Sequence, residues 1–394
     1  MTKCPVVDIV VVGAGLIGPR HCAHVAENPN ANLFAVVDPL VKSELVAKKF
    51  HTLHFYTIAE MVQYCDKRSL RYPHGAIVCT PNHTHIKIAA ELAHHGIHLL
   101  VEKPLSSNPQ DCKALKQYCQ VHKVQLLVGH HRRFNAYVVE TKRNLKQLGQ
   151  IIAVQGTWTL RKPDSYFVNG KWKTDKSQGG GALMINLVHD LDILQYLFGP
   201  IHQIYAELLE KQRNYDADEG AVLTLRFKNG ISGTFICSDN VTSPFNFESG
   251  TGENPTIPFN DDLQGVYRIF GTKGTLSMPD LNLFHQPLAL TDEENSWLYP
   301  LIKRPLVNDR NKTLYTKLPF DLQLQHFINV LNGSDIPSCT ADDGISALLC
   351  IDAVARSIES GMPEIVQDPD KVVPDHTCLT ERSMPPEKSQ TLST

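Results

Sequence analysis

A histidine suited to acid–base chemistry and two polar neighbours recur at every third position in an otherwise apolar stretch of this 394-residue chain. They are Asn186, His189 and Asp192, and leucines between and around them supply apolar packing. The spacing predicts a buried helix with one polar edge, which begins after three glycines at 179–181 and ends at Gly199-Pro200. An imidazole on such an edge is suited to act as a general base, although a hydrogen-bonded core histidine produces the same pattern.

A dinucleotide-binding pattern stands near the N-terminus, where a β-branched run at 6–12 predicts a buried parallel strand. The G-x-G-x-x-G sequence at 13–18 follows it directly, and a second predicted strand ends at Asp38. Such a carboxylate can accept hydrogen bonds from the adenine ribose and repels a 2′-phosphate, so it favours NAD(H). NADP(H) remains possible because Lys42 lies four residues further on. The residues expected to hold the cofactor here are Gly13, Gly15, Leu16, Ile17, Gly18 and Asp38.

Strand and helix patterns alternate as far as residue 134, which predicts an α/β Rossmann domain (1–134) with a doubly wound parallel sheet. Polar groups follow three of its predicted strands, at 80–85, 102–104 and 130–133. Because ligands bind beyond the carboxyl ends of parallel strands, we expect these groups to meet at one edge. The candidates for the nicotinamide end are Thr80, Asn82, His83, His85, Glu102 and Lys103, with Arg132 close to them.

The second part of the chain, 135–368, has predicted strands in succession, without helices between most of them. This order predicts an α+β domain with a large open, mostly antiparallel sheet and helices on one face. Its other face is available for a partner subunit, so we expect a homodimer or homotetramer. The long loop at 240–262 is expected to be functional or disordered. The polar, proline-bearing segment 369–394 is expected to be a disordered tail.

Composition excludes several classes of function. A formal net charge of −3 argues against nucleic acid as a partner, and no apolar run reaches the roughly 18 residues of a membrane helix. We expect no secretory leader, because the apolar run at 6–12 is short and continues into glycines. The ten cysteines include no C-x-x-C pair, which predicts neither disulfides nor zinc and fits a reducing, cytoplasmic compartment. No metal is expected at the clustered histidines, because no carboxylate completes a ligand set.

Several motifs together resemble the Gfo/Idh/MocA oxidoreductase family over roughly residues 5 to 365. They are GAGLIG at 13–18, TPNHTH at 80–85, EKPLS at 102–106, GHHRRFN at 129–135 and GGGALMINLVHDLD at 179–192. The resemblance implies an NAD(P)-dependent dehydrogenase that acts on a secondary hydroxyl or ketone of a polyol, sugar or cyclitol-like acid, such as inositol or quinate. By the same resemblance, Lys103 and His189 are the catalytic residues. The lysine would stabilise a developing alkoxide, and the histidine would accept the hydroxyl proton.

One position departs from the family pattern. Many members carry an acid four residues before the histidine, where this chain has Ile185. Asn186 or Asp192 is expected to orient the imidazole instead, and the same helix variant together with ESGTGENP at 248–255 resembles a fungal-type subgroup. The lost acid leaves open a non-catalytic, dinucleotide-binding regulator or sensor. The residues expected on the substrate side are Asn186, Asp192 and Arg132, with Tyr166 and Trp172 as pocket walls.

Overall fold

The computed structural model describes residues 5–168, 170–287, 297–307 and 318–380. The chain divides into two compact units, and each is discontinuous in sequence. The first unit comprises Met1–His130, Phe320–Ile345 and Pro369–Thr394, and the second comprises His131–Pro319 and Ser346–Asp368. This division differs from the three consecutive segments expected from the sequence, because a late helix packs into the core of the first unit.

The first unit contains a six-stranded parallel sheet with the strand order β3-β2-β1-β4-β5-β6. This order is that of a doubly wound dinucleotide-binding sheet, so the predicted Rossmann fold is confirmed. Only β3, three residues long, lacks a pattern in the sequence that would predict it. The strands are β1 (Val7–Val12), β2 (Ala31–Val37), β3 (Leu53–Phe55), β4 (Gly75–Val78), β5 (His98–Val101) and β6 (Leu126–Val128). The connecting helices are α1 (Gly18–Glu27), α2 (Glu44–Lys49), α3 (Ile58–Arg68), α4 (His85–His94) and α5 (Pro109–Val121).

The second unit contains a nine-stranded sheet with the order β14-β13-β12-β11-β7-β10-β9-β8-β15. Its described pairs are antiparallel except β7 with β10, which confirms the mostly antiparallel sheet. The strands are β7 (Ile151–Thr159), β8 (Ile201–Leu208), β9 (Gly220–Phe227), β10 (Ser232–Ser238), β11 (Tyr267–Gly271), β12 (Gly274–Met278), β13 (Asn282–His285), β14 (Ile302–Pro305) and β15 (Glu364–Ile365). The helices are α6 (Ala136–Asn144), α7 (Ser165–Val168), α8 (Val188–Phe198) and α9 (Phe247–Thr251).

Burial alternates along the central strands of this sheet. In β9, Leu223 and Leu225 are buried, whereas Val222 and Thr224 are exposed. A period of two means that one face of the sheet packs on the core and the other is open.

Helix α10 (Pro319–Leu331) supplies apolar side chains to the first unit. Phe327 and Ile328 are fully buried in the core cluster of the parallel sheet. A Cβ on Gly75 of β4 would lie 2.8 Å from the Phe327 ring, so helix and sheet are in close contact. The helical spacing of these residues predicts α10, but spacing alone does not identify the sheet on which it packs.

Two further helices close the described chain, α11 (Ala341–Ser360) and α12 (Thr377–Thr380). A helical turn at Pro369–Lys371 and α12 lie in the segment that was expected to be disordered. Val372 and Leu379 are buried, at 4% and 7% exposure, so that prediction is wrong for residues 369–380. Two isolated apolar residues are too few to produce a periodic signal in the sequence. The rest of the expected tail, 381–394, lies outside the described residues.

Among the described residues, no helix combines the length and the apolar character that crossing a membrane requires.

Candidate active site

The glycine loop between β1 and α1 is closely packed on its inner side and open on its outer side. Gly13 has φ +97°, and a Cβ there would lie 2.8 Å from the backbone of Cys79. A Cβ on Gly18 would lie 2.0 Å from the Gly13 carbonyl oxygen, whereas one on Gly15 would meet nothing within 4 Å. Leu16 is 94% exposed and Ile17 is half-buried. The open side at Gly15 fits the close approach of a pyrophosphate that the pattern predicts.

Asp38 follows the end of β2 and is held by two backbone groups. Its Oδ2 accepts a hydrogen bond from Ala14 N–H at 2.7 Å, and its Oδ1 accepts one from Leu40 N–H at 2.9 Å. A carboxylate has about four acceptor sites, so these two bonds orient the group and leave acceptors for a ribose diol. The residues of this part of the first unit therefore fit the adenine half of a dinucleotide.

The loop after β4 carries four of the predicted residues, and they differ in exposure. Thr80 and Asn82 are half-buried and His83 is exposed, whereas His85 is 1% exposed. The ring nitrogens of His85 lie 2.9 Å from the Pro104 carbonyl oxygen and 2.8 Å from that of Thr80. Its imidazole thus joins the loops after β4 and β5, and its predicted contact with the dinucleotide stays a prediction.

Glu102 connects the EKP motif to the helix that follows the glycine loop. Its Oε1 lies 2.8 Å from Nε2 of His21 in α1, and its Oε2 accepts the Lys103 N–H at 3.2 Å. Both His21 and Glu102 are buried, and a Cβ on Gly129 would lie 3.0 Å from the Glu102 Cα. Glu102 is therefore a buried link between α1 and the carboxyl end of β5, and it holds the backbone N–H of the half-buried Lys103.

The glycines at 179–181 allow the backbone contacts that the sequence predicts. A Cβ on Gly180 would lie 2.5 Å from the Trp172 carbonyl oxygen, and one on Gly181 would lie 2.2 Å from Asp218 Oδ2. Residues Leu183–Leu187 form a π-helical turn that continues directly into α8, so the predicted helix is present with a widened first turn. Such turns occur frequently at functional sites.

Asn186 lies in this π turn and contacts a lysine that the sequence did not single out. The Lys162 ammonium donates to Asn186 Oδ1 at 2.6 Å and lies 3.3 Å from Asp239 Oδ2. Lys162 is 8% exposed, and burial lowers its pKa although the Asp239 carboxylate acts in the opposite direction. A buried lysine beside the polar helix edge is thus an additional site residue.

Asp192 forms a buried ion pair with Arg133. Arg133 Nε donates to both carboxylate oxygens at 3.1 and 2.9 Å, and Nη2 donates at 2.6 Å. The two side chains are 4% and 1% exposed. Asp192 therefore anchors α8 to the 131–134 turn, and its predicted contact with a substrate stays a prediction.

Arg132 is the centre of a second buried cluster and is only 3% exposed. Its Nε donates to Glu253 Oε1 at 2.9 Å, its Nη2 donates to Glu248, and its Nη1 lies 3.6 Å from Asp190 Oδ1. The Trp158 indole also donates to Glu248 at 2.8 Å. Two carboxylates of the ESGTGENP loop thus bind an arginine of the GHHRRFN segment. The opposite charges of the two motifs are the sequence signal that could have indicated this pairing.

Asp190 is fully buried and accepts a hydrogen bond from the Tyr267 hydroxyl. Burial raises its pKa to about 7, against the opposing effects of Arg132 and of the Tyr267 hydrogen bond. One guanidinium is thus surrounded by three carboxylates, and one of these carboxylates readily holds a proton.

His189 is 7% exposed and contacts a second imidazole. The rings of His131 and His189 are 5.5 Å apart at an interplanar angle of 75°, an edge-to-face contact. His131 Nε2 lies 3.6 Å from Glu253 Oε1. No periodic signal predicts this contact, because His131 and His189 are 58 residues apart and belong to different motifs.

Tyr166 and Trp172, expected as pocket walls, belong to the segment before the glycines. The Tyr166 ring lies 4.8 Å from the Lys162 ammonium and 3.8 Å from the Lys173 ammonium, and burial raises the pKa of its hydroxyl to about 12. Trp172 is 38% exposed. In the described part of the chain, no group of three or more His, Cys, Asp or Glu side chains is arranged to hold a metal ion.

Two family models match most of the chain. The oxidoreductase family's NAD-binding Rossmann fold matches residues 7–130, and the oxidoreductase family's C-terminal alpha/beta domain matches residues 142–366. Both carry the designation GFO_IDH_MocA.

Curated relatives and solved structures agree with this assignment. The chain is 26% identical to the rhizopine catabolism protein MocA of Rhizobium meliloti over 192 residues, which are 48% of this chain and 56% of that protein. It is 25% identical to scyllo-inositol 2-dehydrogenase (NAD(+)) of Bacillus subtilis over 368 residues, 91% of this chain and 95% of that protein. The fold is similar to that of the WlbA dehydrogenase from Bordetella pertussis, solved with NADH and UDP-GlcNAcA, with a TM-score of 0.70, 21% identity, and coverage of 92% and 99%. The chain therefore belongs to the Gfo/Idh/MocA family of NAD-binding oxidoreductases.

Proposed function

We propose that this protein is an NAD(H)-dependent dehydrogenase that interconverts a secondary hydroxyl and a ketone on a polyol, sugar or cyclitol-like acid, with His189 as general base and Lys103 as the group that stabilises the alkoxide. The observation that carries the proposal is Lys103 itself. It is half-buried, and the buried Glu102 holds its backbone N–H at the carboxyl end of β5, the edge at which sheets of this strand order bind their ligands.

The proposed chemistry follows from the two side chains. A secondary alcohol with a pKa of roughly 16 needs a positioned acceptor for its proton, and an imidazole with an ordinary pKa of about 6.5 is suited to that role. The Lys103 ammonium would stabilise negative charge that develops on the substrate oxygen. Asn186, held by Lys162, would present its amide to a substrate hydroxyl. Bound NAD⁺ would supply the hydride acceptor.

The preference for NAD(H) over NADP(H) is part of the proposal. Both Asp38 oxygens are oriented by backbone N–H groups, so its negative charge is held at the end of β2, where it would repel a 2′-phosphate. A cytoplasmic location is also proposed, because every cysteine of the described chain is free.

The open face of the nine-stranded sheet supports a proposed homo-oligomer. Val222, Ile236 and Phe270 are 40%, 40% and 37% exposed. They belong to neighbouring strands, and a concavity of about 560 Å³ lies on the sheet among β7, β8, β9, β10 and β11. Exposed apolar side chains in such number on one sheet mark an interaction surface, and we assign it to a second copy of this chain.

A screen for NAD⁺ reduction at 340 nm over inositols, aldoses and quinate tests the proposal. We expect turnover of at least one substrate by the wild type and a loss of about a thousandfold or more in Lys103→Ala and His189→Ala. Lys87→Ala and His202→Ala, which remove exposed side chains, are the matched controls. Turnover that survives both active-site substitutions would refute the mechanism. NADH binding without turnover of any substrate would instead favour the regulator, which the Ile185 replacement left open.

A further inference from the structure

Lys173 belongs to no motif of the sequence, and its backbone packs against the glycines that precede the π turn. The Gly181 N–H donates to the Lys173 carbonyl oxygen at 3.1 Å, and a Cβ on Gly180 would lie 2.6 Å from the same oxygen. This close contact holds the backbone of Lys173 beside the segment that leads into the π turn, on which Asn186 lies.

The ammonium of Lys173 lies on an aromatic ring and has no acidic partner. It donates to the Tyr166 carbonyl oxygen at 2.9 Å and lies 3.8 Å from the centre of the Tyr166 ring. Within the described ranges of the chain, no carboxylate lies at ion-pair distance from it. Burial lowers the pKa of Lys173, and the charge of Lys162 lowers it further. An ammonium has three donors, so this half-buried cation has donors for an anion.

The acidic side chains of this part of the second unit are engaged with other groups. Asp239 lies 2.7 Å from an Arg213 nitrogen and 3.3 Å from the Lys162 ammonium, so one carboxylate serves two cations. Asp175 accepts hydrogen bonds from the side chains of residues 177 and 178, at 2.6 Å each. Asp218 accepts a backbone N–H at 3.0 Å. These contacts leave the ammonium at position 173 without a counterion.

Two further donors accompany this ammonium. The Lys162 ammonium lies 4.8 Å from the centre of the Tyr166 ring and donates to Asn186 Oδ1, so the Asn186 amide presents its Nδ2 as a donor. Neither Nδ2 nor the Tyr166 hydroxyl has a hydrogen-bond partner among the described residues, and neither is a buried atom, so both are open to solvent. Burial raises the pKa of the Tyr166 hydroxyl to about 12, so it keeps the proton that it can donate.

We propose that Lys173, Tyr166 and Asn186 form a subsite for a carboxylate of the substrate, so that the substrate class is a polyol or cyclitol acid rather than a neutral sugar. The inference rests on the proposed function in so far as Asn186 contacts the substrate. Lys173 is then the residue that determines specificity for the acid.

The charge of the cluster favours a carboxylate over a phosphate. A carboxylate accepts hydrogen bonds and carries one negative charge, which matches the one ammonium that lacks a counterion. A phosphate monoester carries roughly −1.5 to −2 at neutral pH and would require a second cation. Lys162 does not supply it, because its ammonium already lies beside Asp239.

Calorimetric titration of the full-length protein in the presence of NADH tests the subsite with matched ligands. The pairs are D-gluconate with sorbitol, D-glucuronate with D-glucose, and quinate with myo-inositol. We expect at least one acid to bind about tenfold or more tightly than its neutral partner. Equal affinities within every pair, or no binding of any acid, would overturn the proposal. Tighter binding of sorbitol 6-phosphate than of every acid would overturn the assignment to a carboxylate.

Two substitutions of the lysine separate its charge from its packing. Lys173→Gln should lower the affinity for the preferred acid by about tenfold and leave that for the neutral partner unchanged, whereas Lys173→Arg should retain most of the affinity. Lys171→Gln removes an exposed ammonium in the same helical turn and is the matched control, with no change expected. Equal losses in Lys173→Gln and Lys171→Gln would assign the attraction to the segment as a whole and overturn the proposal.

Tyr166→Phe gives a second readout if Lys173→Gln does not fold. It keeps the ring beneath the ammonium and removes the hydroxyl donor, so the acid should bind about threefold to tenfold more weakly. An unchanged affinity would overturn the arrangement, and an unchanged thermal midpoint establishes that each variant is folded. Tight binding of an acid that is never oxidised would count against the proposed function alone. Turnover of neutral polyols only, unaffected by Lys173→Gln, would overturn the inference alone.

Discussion

Replacement of Asp192 by asparagine separates a structural role for this residue from a role in substrate binding. Asp192 accepts hydrogen bonds from two nitrogens of Arg133, and both side chains are at most 4% exposed. Removing one partner of a buried ion pair costs about 3–5 kcal/mol, because the remaining charge has lost its counterion in a medium of low dielectric. Asparagine keeps one acceptor oxygen, so we expect the lower end, about 3 kcal/mol of unfolding free energy.

Urea unfolding, monitored by tryptophan fluorescence, measures the loss of unfolding free energy in the unit that contains the ion pair. All three tryptophans, Trp158, Trp172 and Trp297, belong to the second unit, as do both partners of the ion pair. Trp158 is 1% exposed, so its emission will report loss of the core. With an m-value of about 3 kcal/mol per molar, a loss of 3 kcal/mol lowers the urea midpoint by about 1 M.

Two further variants control the interpretation. Asp352→Asn breaks an exposed ion pair with Arg356 in the same unit, and it should lower the unfolding free energy by less than about 0.5 kcal/mol. The double variant Asp192→Leu with Arg133→Met removes both charges and should recover most of the stability. A urea midpoint for Asp192→Asn equal to that of Asp352→Asn, combined with a large loss of turnover, would refute this reasoning and assign Asp192 to the substrate.

Three other perturbations follow from single observations. Gly15→Val should leave the thermal midpoint unchanged, because a Cβ at this position meets no atom within 4 Å. The same variant should weaken NADH binding, measured by nucleotide fluorescence, by about tenfold or more. Unaltered affinity for NADH would count against the loop as the pyrophosphate site. The raised pKa of Asp190 means that the folded protein keeps a proton that the unfolded chain loses above its ordinary value of 3.8. Urea stability of the second unit should therefore fall as pH rises from about 5 to 8, and should fall less in Asp190→Asn; equal slopes in both proteins would contradict this origin. Ile236→Arg on the open sheet face should dissociate the proposed homo-oligomer and so lower its sedimentation coefficient in sedimentation velocity. An unchanged sedimentation coefficient would show that the interface does not include this face.

The fold was predictable wherever local pattern decides it. Five of the six parallel strands and the glycine loop leave periodic or fixed-spacing signals, and the structure contains each of them. The strands that escaped prediction are β3, β13, β14 and β15, which are two to four residues long and too short to show alternation. The sheet on which α10 packs was not predicted for another reason. The sequence pattern of an amphipathic helix shows that it has an apolar face but does not show which sheet covers that face.

The sequence predicts candidate members of the site but not the side chains that they contact. The family resemblance singled out Lys103 and His189, whereas the ion pairs of Asp192 with Arg133 and of Glu253 with Arg132 join residues 59 and 121 positions apart. Contacts at such separations have no period that one sequence can reveal. Charge provides the only local hint, since two arginines in GHHRRFN and two glutamates in ESGTGENP are unusual in segments otherwise rich in small and apolar residues.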